Sequence, residues 1–167
     1  IDGYKLEKSL IANDRTWLCS KKTKKYVIKF PPVEAIYDEK ILDFFVKEAW
    51  NAKRLKADFF PKAVIPKNRT QRYYVMQHIV GENLDESLKS KALSIDDAVR
   101  LGEVLLDMSQ YLLRYDLVHG DIKPHNIMLE IDKQNISFKI IDFGSITEIF
   151  SISSKAGTPS FLSPERF

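Results

Sequence analysis

The chain has 167 residues, 44% apolar and 29% charged, with a formal net charge of +3. That length supports one domain or a little more around a buried core, and the composition excludes disorder of the whole chain. The small positive balance does not indicate a nucleic-acid binder: the one basic run, at 21–25, has no aromatic residue or second basic cluster beside it and reads as a solvated hairpin tip.

Cys19 is the only cysteine, so no intrachain disulfide can form and a reducing, cytoplasmic setting is expected. No apolar run approaches the ~18 residues of a membrane-spanning helix. The start, IDGYKLEKSL, has no signal-peptide pattern and no initiator Met, and is expected to belong to a longer polypeptide.

The first part reads as strands. YKLEKSLI, RTWLCS and KYVIKF are short and β-rich, and Pro31 with Pro32 ends the third because proline cannot continue a ladder. From Asp38 to Leu55 the period changes: Ile41, Phe44, Phe45, Glu48, Ala52 and Leu55 recur at helical spacing. Pro61 and Pro66 mark a connection, and RYYVMQHI reads as a further buried strand broken by Gly81. A short helix is expected at about Leu84–Lys89. Ser94 then suits an N-cap, with Asp96 and Asp97 beside the positive end of the helix dipole. Ala98, Leu101, Leu105, Met108 and Leu112 carry that helix's apolar stripe to about Tyr115. NIMLEI and SFKIID are strand-like, joined by a DKQN turn. The fold class is therefore α+β in two lobes: an antiparallel five-stranded sheet with one helix at 1–80, then a truncated, mainly helical lobe at 81–167, with a hinge near Gln77–Gly81.

The chemistry concentrates in HGDIKPHN and IDFG, which place Asp121, Lys123 and Asn126 in one short loop and Asp142 in a second. Two acids, an amide and a lysine at this spacing suit a site that holds metal-bound phosphates and takes a proton from a hydroxyl. Asp142 ends an apolar strand, where its carboxylate can ligate Mg²⁺, a cation that takes oxygen ligands and often one or two carboxylates. Asn126 offers a neutral carbonyl oxygen to a second metal. Asp121 can accept the hydroxyl proton while Lys123 neutralises the transferring phosphoryl group. Lys29 in YVIKF can hold nonreacting phosphates, steered by an ion pair with Glu48. Taken singly, DFG is a common turn, VIK a strand with a lysine, and a helical glutamate a solvated charge. The ordered conjunction with GTPSFLSPE carries the reading. His119 reads as a packed structural histidine, and His125 and His78 as loop and hinge residues, not metal ligands.

These motifs resemble those of the eukaryotic-like protein kinases, from about Tyr4 to the end. The resemblance implies ATP and Mg²⁺ as cofactors and transfer of the γ-phosphoryl group to a protein Ser/Thr hydroxyl. It makes Lys29 the strand lysine, Glu48 its helical partner, Asp121 the base, and Asn126 and Asp142 the metal ligands. Lys123 and Thr158 favour the serine/threonine type, with Thr158 bracing base and lysine beside the substrate. Met76 falls at the gatekeeper position, and Gln77, His78 and Ile79 at the hinge that bonds adenine. Val27 and Met128 match the apolar residues on either side of the adenine ring, and are equally readable as ordinary core. Trp50, the DFGS run and GTPSFLSPERF are similar to kinase domains of bacterial proteins that also carry a serine/threonine phosphatase domain.

Three departures qualify what the resemblance implies. No glycine lies between Gly3 and Gly81, so LIANDRTW stands where a glycine-rich loop is expected, and either Thr16 or Trp17 replaces the valine over adenine. Ala12, Asn13 and Asp14 can form the turn, since Asn and Asp tolerate left-handed geometry, and weaker nucleotide affinity is expected. The usual arginine before the base is Gly120, which removes the main receptor for a phosphate on Ser151, Ser153 or Ser154. The chain stops just after Glu165, whose arginine partner in the family would come later. The alternatives are a portion of a longer protein or a short kinase-like protein completed by a partner. Two other functions stay open: a pseudokinase-like nucleotide-binding or scaffolding module, and a small-molecule phosphotransferase.

Overall fold

A computed structural model of the chain describes residues 1–12, 14–132, 135–151 and 157–164. The backbone forms two compact units, one of Ile1–Ala57 and Pro61–His78, the other of Asp58–Phe60 and Ile79–Phe167.

In the first unit, β1 (Lys5–Ser9), β2 (Thr16–Lys21), β3 (Lys24–Lys29), β4 (Ala63–Val64) and β5 (Tyr74–Gln77) make a five-stranded antiparallel sheet, ordered β1-β2-β3-β5-β4. The basic run forms the β2–β3 hairpin: Lys21 faces Lys24 across a two-residue turn in which Lys22 has φ +57°. Strand alternation sorts the side chains between two faces. Cys19, Ile28, Tyr73 and Val75 are buried on one face, with Tyr4, Leu6, Trp17, Tyr26 and Phe30 packed around them. The other face receives α1 (Glu39–Arg54), whose Phe45 ring lies 5.9 Å from that of Tyr74. Asp38 caps this helix by accepting from the Lys40 N–H at 2.8 Å, and Lys53 and Arg54 sit in its last turn, where cations favour the dipole.

The second unit contains β6 (Gly81–Asn83), α2 (Leu84–Ser90), α3 (Ile95–Leu113), β7 (Leu117–His119), β8 (Ile127–Asp132), β9 (Asn135–Ile140) and β10 (Ile146–Glu148). β6, β8 and β9 form one sheet, and β7 pairs with β10. Ser94 caps α3 through the Asp97 N–H at 3.1 Å. Of the apolar stripe, Met108 and Leu112 are buried, Leu101 and Leu105 half-buried and Ala98 exposed. Asp58–Phe60 belongs here because it is stitched to β9. Phe59 O accepts from Ile140 N at 2.8 Å and Asp58 O from Lys139 Nζ at 2.5 Å. Phe60 then packs on Phe143, ring centroids 5.3 Å apart.

Two glycines test this packing in opposite directions. A Cβ at Gly81 would lie 1.8 Å from the Leu129 carbonyl oxygen, whereas a Cβ at Gly102, inside α3, would meet nothing within 4 Å. Gly102→Ala should therefore stabilise the fold by about 0.5–1 kcal/mol through helix propensity. Gly81→Ala should destabilise it by about 1–3 kcal/mol. Urea denaturation of the two variants checks both signs.

Candidate functional site

In the first unit the antiparallel register decides which side chains share a face. Lys29 stands opposite Thr16 on β2 and Tyr74 on β5, and Val27 opposite Leu18 and Met76. Trp17 pairs with Ile28 and joins the cluster on the opposite face. Of the two candidates, Thr16 shares the face of Lys29 and Val27, and Trp17 lies on the other. The Lys29 ammonium forms an ion pair with Glu48 Oε1, which also accepts the Tyr74 hydroxyl at 2.8 Å. Glu48 is only 6% exposed, so it is not a solvated helix charge. Val27 and Met76 are buried, and Gln77 N donates to Lys62 O at 2.8 Å. Burial lowers the pKa of the His78 imidazole, with the Lys25 charge adding to the effect and Glu7 opposing it.

In the second unit the loop after β7 and the segment at Gly157–Thr158 meet at Asp121. Its Oδ1 accepts from the Thr158 N–H at 2.8 Å and the Thr158 hydroxyl at 2.6 Å. Its Oδ2 lies 2.6 Å from Lys123 Nζ, which also donates to Thr158 Oγ1 at 2.8 Å. Burial by itself would raise the Asp121 carboxyl pKa. The hydrogen bonds from Lys123 and Thr158, with the Lys123 charge, outweigh it and hold the group below its ordinary value.

A short turn at Pro124–Asn126 follows, with proline at its start. It carries Asn126, whose Nδ2 donates to Asp121 O at 2.9 Å and lies 3.4 Å from both Asp121 Oδ2 and Asp142 Oδ2. Asp142 lies two residues past Ile140, the buried end of β9. Its Oδ1 accepts from Gly144 N at 3.0 Å and its Oδ2 from Ser145 Oγ at 2.8 Å. Asp121, Asn126 and Asp142 therefore form one linked set of oxygen-bearing groups. Among the described residues no three His, Cys, Asp or Glu side chains gather into a metal cage. A carboxylate and an amide oxygen suit Mg²⁺, which takes oxygen ligands and fills the rest of its shell with water or other oxygens.

His119 Nδ1 accepts from Asp121 N at 3.3 Å, while Nε2 is buried with no partner among the described residues. Burial lowers the pKa of this imidazole, against the Asp142 and Asp121 charges, and so favours a neutral ring packed inside the loop. His125 is exposed, with Nε2 3.3 Å from Asp85 Oδ2. Met128 on β8 is half-buried, between the buried Ile127 and Leu129, and Ile79 is buried. Glu165, Ser153 and Ser154 lie outside the described residues, as does Asn13.

Three contributors escape a reading of motifs alone. Tyr74 holds Glu48 from a neighbouring strand. Ser145 bonds to Asp142 from just beyond the IDFG motif. Gly157 has φ +109°, and a Cβ there would stand 2.8 Å from Gly120 O and 2.6 Å from Leu162 Cδ2. Only a glycine lets the chain pass this close to the loop of Asp121 and deliver Thr158 to it. A shallow depression at this point is lined by His119, Gly120, Asp121, Thr158, Phe161 and Leu162.

Comparison with known proteins agrees with this arrangement. The family model for the protein kinase domain matches residues 17–167. The chain is 33% identical over 99 residues to calcium-dependent protein kinase 4 of Plasmodium falciparum, a match covering 56% of this chain and 19% of that protein. It is 37% identical over 105 residues to death-associated protein kinase 2 of Mus musculus, covering 59% and 28%. It is 33% identical over 96 residues to serine/threonine-protein kinase PknG of Mycobacterium leprae, covering 56% and 12%. The chain thus spans less than a third of the length of these relatives. With the family model covering nearly all of it, the chain belongs to the protein kinase domain family.

Proposed function

We propose that this chain carries the catalytic centre of an ATP-dependent protein serine/threonine kinase. The observation that supports it best is the closed set of bonds joining Asp121, Lys123 and Thr158. An ionised Asp121 accepts the proton of a substrate Ser or Thr hydroxyl as that oxygen bonds to the γ-phosphorus and the bond to the β-phosphate oxygen breaks. Lys123 offsets the charge that develops on the transferring group. Thr158 fixes both side chains. Asp142 and Asn126 are the residues that would hold Mg²⁺, whose positive charge neutralises phosphate oxygens. Lys29, oriented by Glu48, holds the nonreacting phosphates. Val27 and Met128 contact adenine, with Met76 as gatekeeper and Gln77 and Ile79 at the hinge. In this reading residues 1–80 are the N-lobe and 81–167 part of the C-lobe, Glu165 belongs to the activation segment, and the whole protein is cytoplasmic, bacterial and larger than this chain.

The activation segment bears on regulation. Ser151 Oγ donates to Glu148 Oε2 at 3.2 Å, and the residue before Asp121 is Gly120, which has no cationic side chain. A phosphate on Ser151 would face an acid, so activity does not depend on phosphorylation there.

A second reading, a nucleotide-binding module without catalysis, is favoured by one observation. The turn replacing the glycine loop is bonded to itself, Ile11 O accepting from Asp14 N at 3.2 Å.

Asp121→Asn should lower phosphotransfer from ATP to a Ser/Thr peptide by about 10²–10⁴-fold, and Lys29→Met should do nearly the same. Turnover retained by both variants would overturn the assignment. An ADP-dependent rise in melting temperature without any phosphotransfer would select the binding module. Replacing Ser151, Ser153 and Ser154 together by alanine should leave turnover unchanged.

Thr158→Val removes a hydroxyl donor from Asp121, so the Asp121 carboxyl should titrate at higher pH than in the wild type by carbon-detected NMR. The sign for stability follows. A carboxyl depressed in the folded state contributes stability above its unfolded pKa of about 3.9. That contribution is lost as pH falls through the folded value, and the variant should show a smaller loss on acidification.

A further inference from the structure

We infer that Ser145 is a positioning residue for the metal-holding carboxylate, locking Asp142 to the loop that carries the base. This inference rests on the reading of Asp142 as a metal ligand. The Ser145 hydroxyl donates to Asp142 Oδ2 at 2.8 Å, and the Gly144 N–H donates to Oδ1 at 3.0 Å. Each carboxylate oxygen is therefore held by its own donor, and together they set the plane of the carboxylate. The other side-chain donor to this group, Asn126 Nδ2, is farther away at 3.4 Å.

The backbone of the same residue reaches the second half of the centre. Ser145 O accepts from Gly120 N at 2.9 Å, one position before Asp121. The approach is close enough that a Cβ at Gly120 would stand 3.0 Å from Ser145 O. One residue thus bonds the acid through its side chain and the loop of the base through its backbone. Each carboxylate oxygen has two lone pairs; Oδ2 meets Ser145 and the longer Asn126 contact, whereas Oδ1 meets the Gly144 N–H and keeps a lone pair for a cation. Without the hydroxyl, Oδ2 keeps only the longer Asn126 contact, and the carboxylate plane is free to turn.

The test uses Mn²⁺ as a paramagnetic probe, titrated by electron paramagnetic resonance against the chain in the presence of ADP. Ser145→Ala should weaken Mn²⁺ binding about 10-fold, as losses of groups that orient a metal ligand do. Ser145→Thr and Ser145→Val differ mainly in the hydroxyl. The threonine should bind within about twofold of wild type and the valine should match the alanine. Melting temperature and near-ultraviolet circular dichroism, followed in parallel, should change little. Equal binding by the threonine and valine variants, or wild-type binding by the alanine and valine variants while Asp142→Asn loses it, would overturn the role of Ser145 alone. Wild-type Mn²⁺ binding by Asp142→Asn would instead overturn the reading of Asp142 itself.

Discussion

The Asp121 carboxylate is the constraint on which the arrangement of the second unit's loops depends. It is partly buried, and burial works against its ionised form. It stays ionised because Lys123 and both polar hydrogens of Thr158 converge on it. Each of those donors bonds the charged acid more strongly than the neutral one, so protonation state and geometry are coupled. The same bonds join segments far apart in sequence, since Thr158 is 37 residues from Asp121. Gly157 makes that junction sterically possible.

The first unit depends on a pair of the opposite construction. Lys29 and Glu48 are brought together from a strand and a helix with little exposure to water. Removing two charges from water costs several kcal/mol before their attraction is counted, and a well-packed apolar pair is often as stable. Stability alone therefore gives weak reason for this pair. In the proposed reading its value lies in aiming an ammonium. Tyr74 donates to the same Glu48 oxygen and limits how the carboxylate can turn. The helix is itself held to that face by Phe45 against Tyr74. Apolar packing of α1 thus becomes the position of a charge on β3.

Much of this was legible in the sequence, because the relevant signals are local. The β-rich runs RTWLCS and KYVIKF, the helical period from Asp38 to Leu55 and the cap at Ser94 each specify structure within a few residues. The polar groups of the loop after β7 are likewise crowded into six positions, 121–126. What was not legible depends on register and close approach. The choice between Thr16 and Trp17 is invisible until β2 is paired with β3, because a one-residue slip exchanges the two faces. Assignment of Asp58–Phe60 to the second unit rests on bonds to Lys139 and Ile140, some 80 residues away. Ser145 lies next to a recognisable motif, yet its bond to Asp142 depends on a side-chain rotamer that spacing does not encode.

The turn that replaces the glycine-rich loop shows how a departure from a family pattern can be compensated locally. Asp14 takes φ +51°, the left-handed geometry a glycine would supply without strain. The surrounding bonds make this conformation tenable: Asp14 O accepts from the Trp17 indole at 2.8 Å, and Leu10 N donates to Thr16 O at 2.8 Å. Trp17 can serve both this turn and the apolar cluster because its indole has one polar edge and an apolar body. The turn is thus fixed by its own bonds, whereas glycine loops keep backbone N–H groups available to phosphate. In the proposed reading, nucleotide binding by the first unit leans more on the Lys29 side chain than on backbone amides. The accuracy with which Glu48 orients Lys29 then weighs more here than in a relative with the glycines.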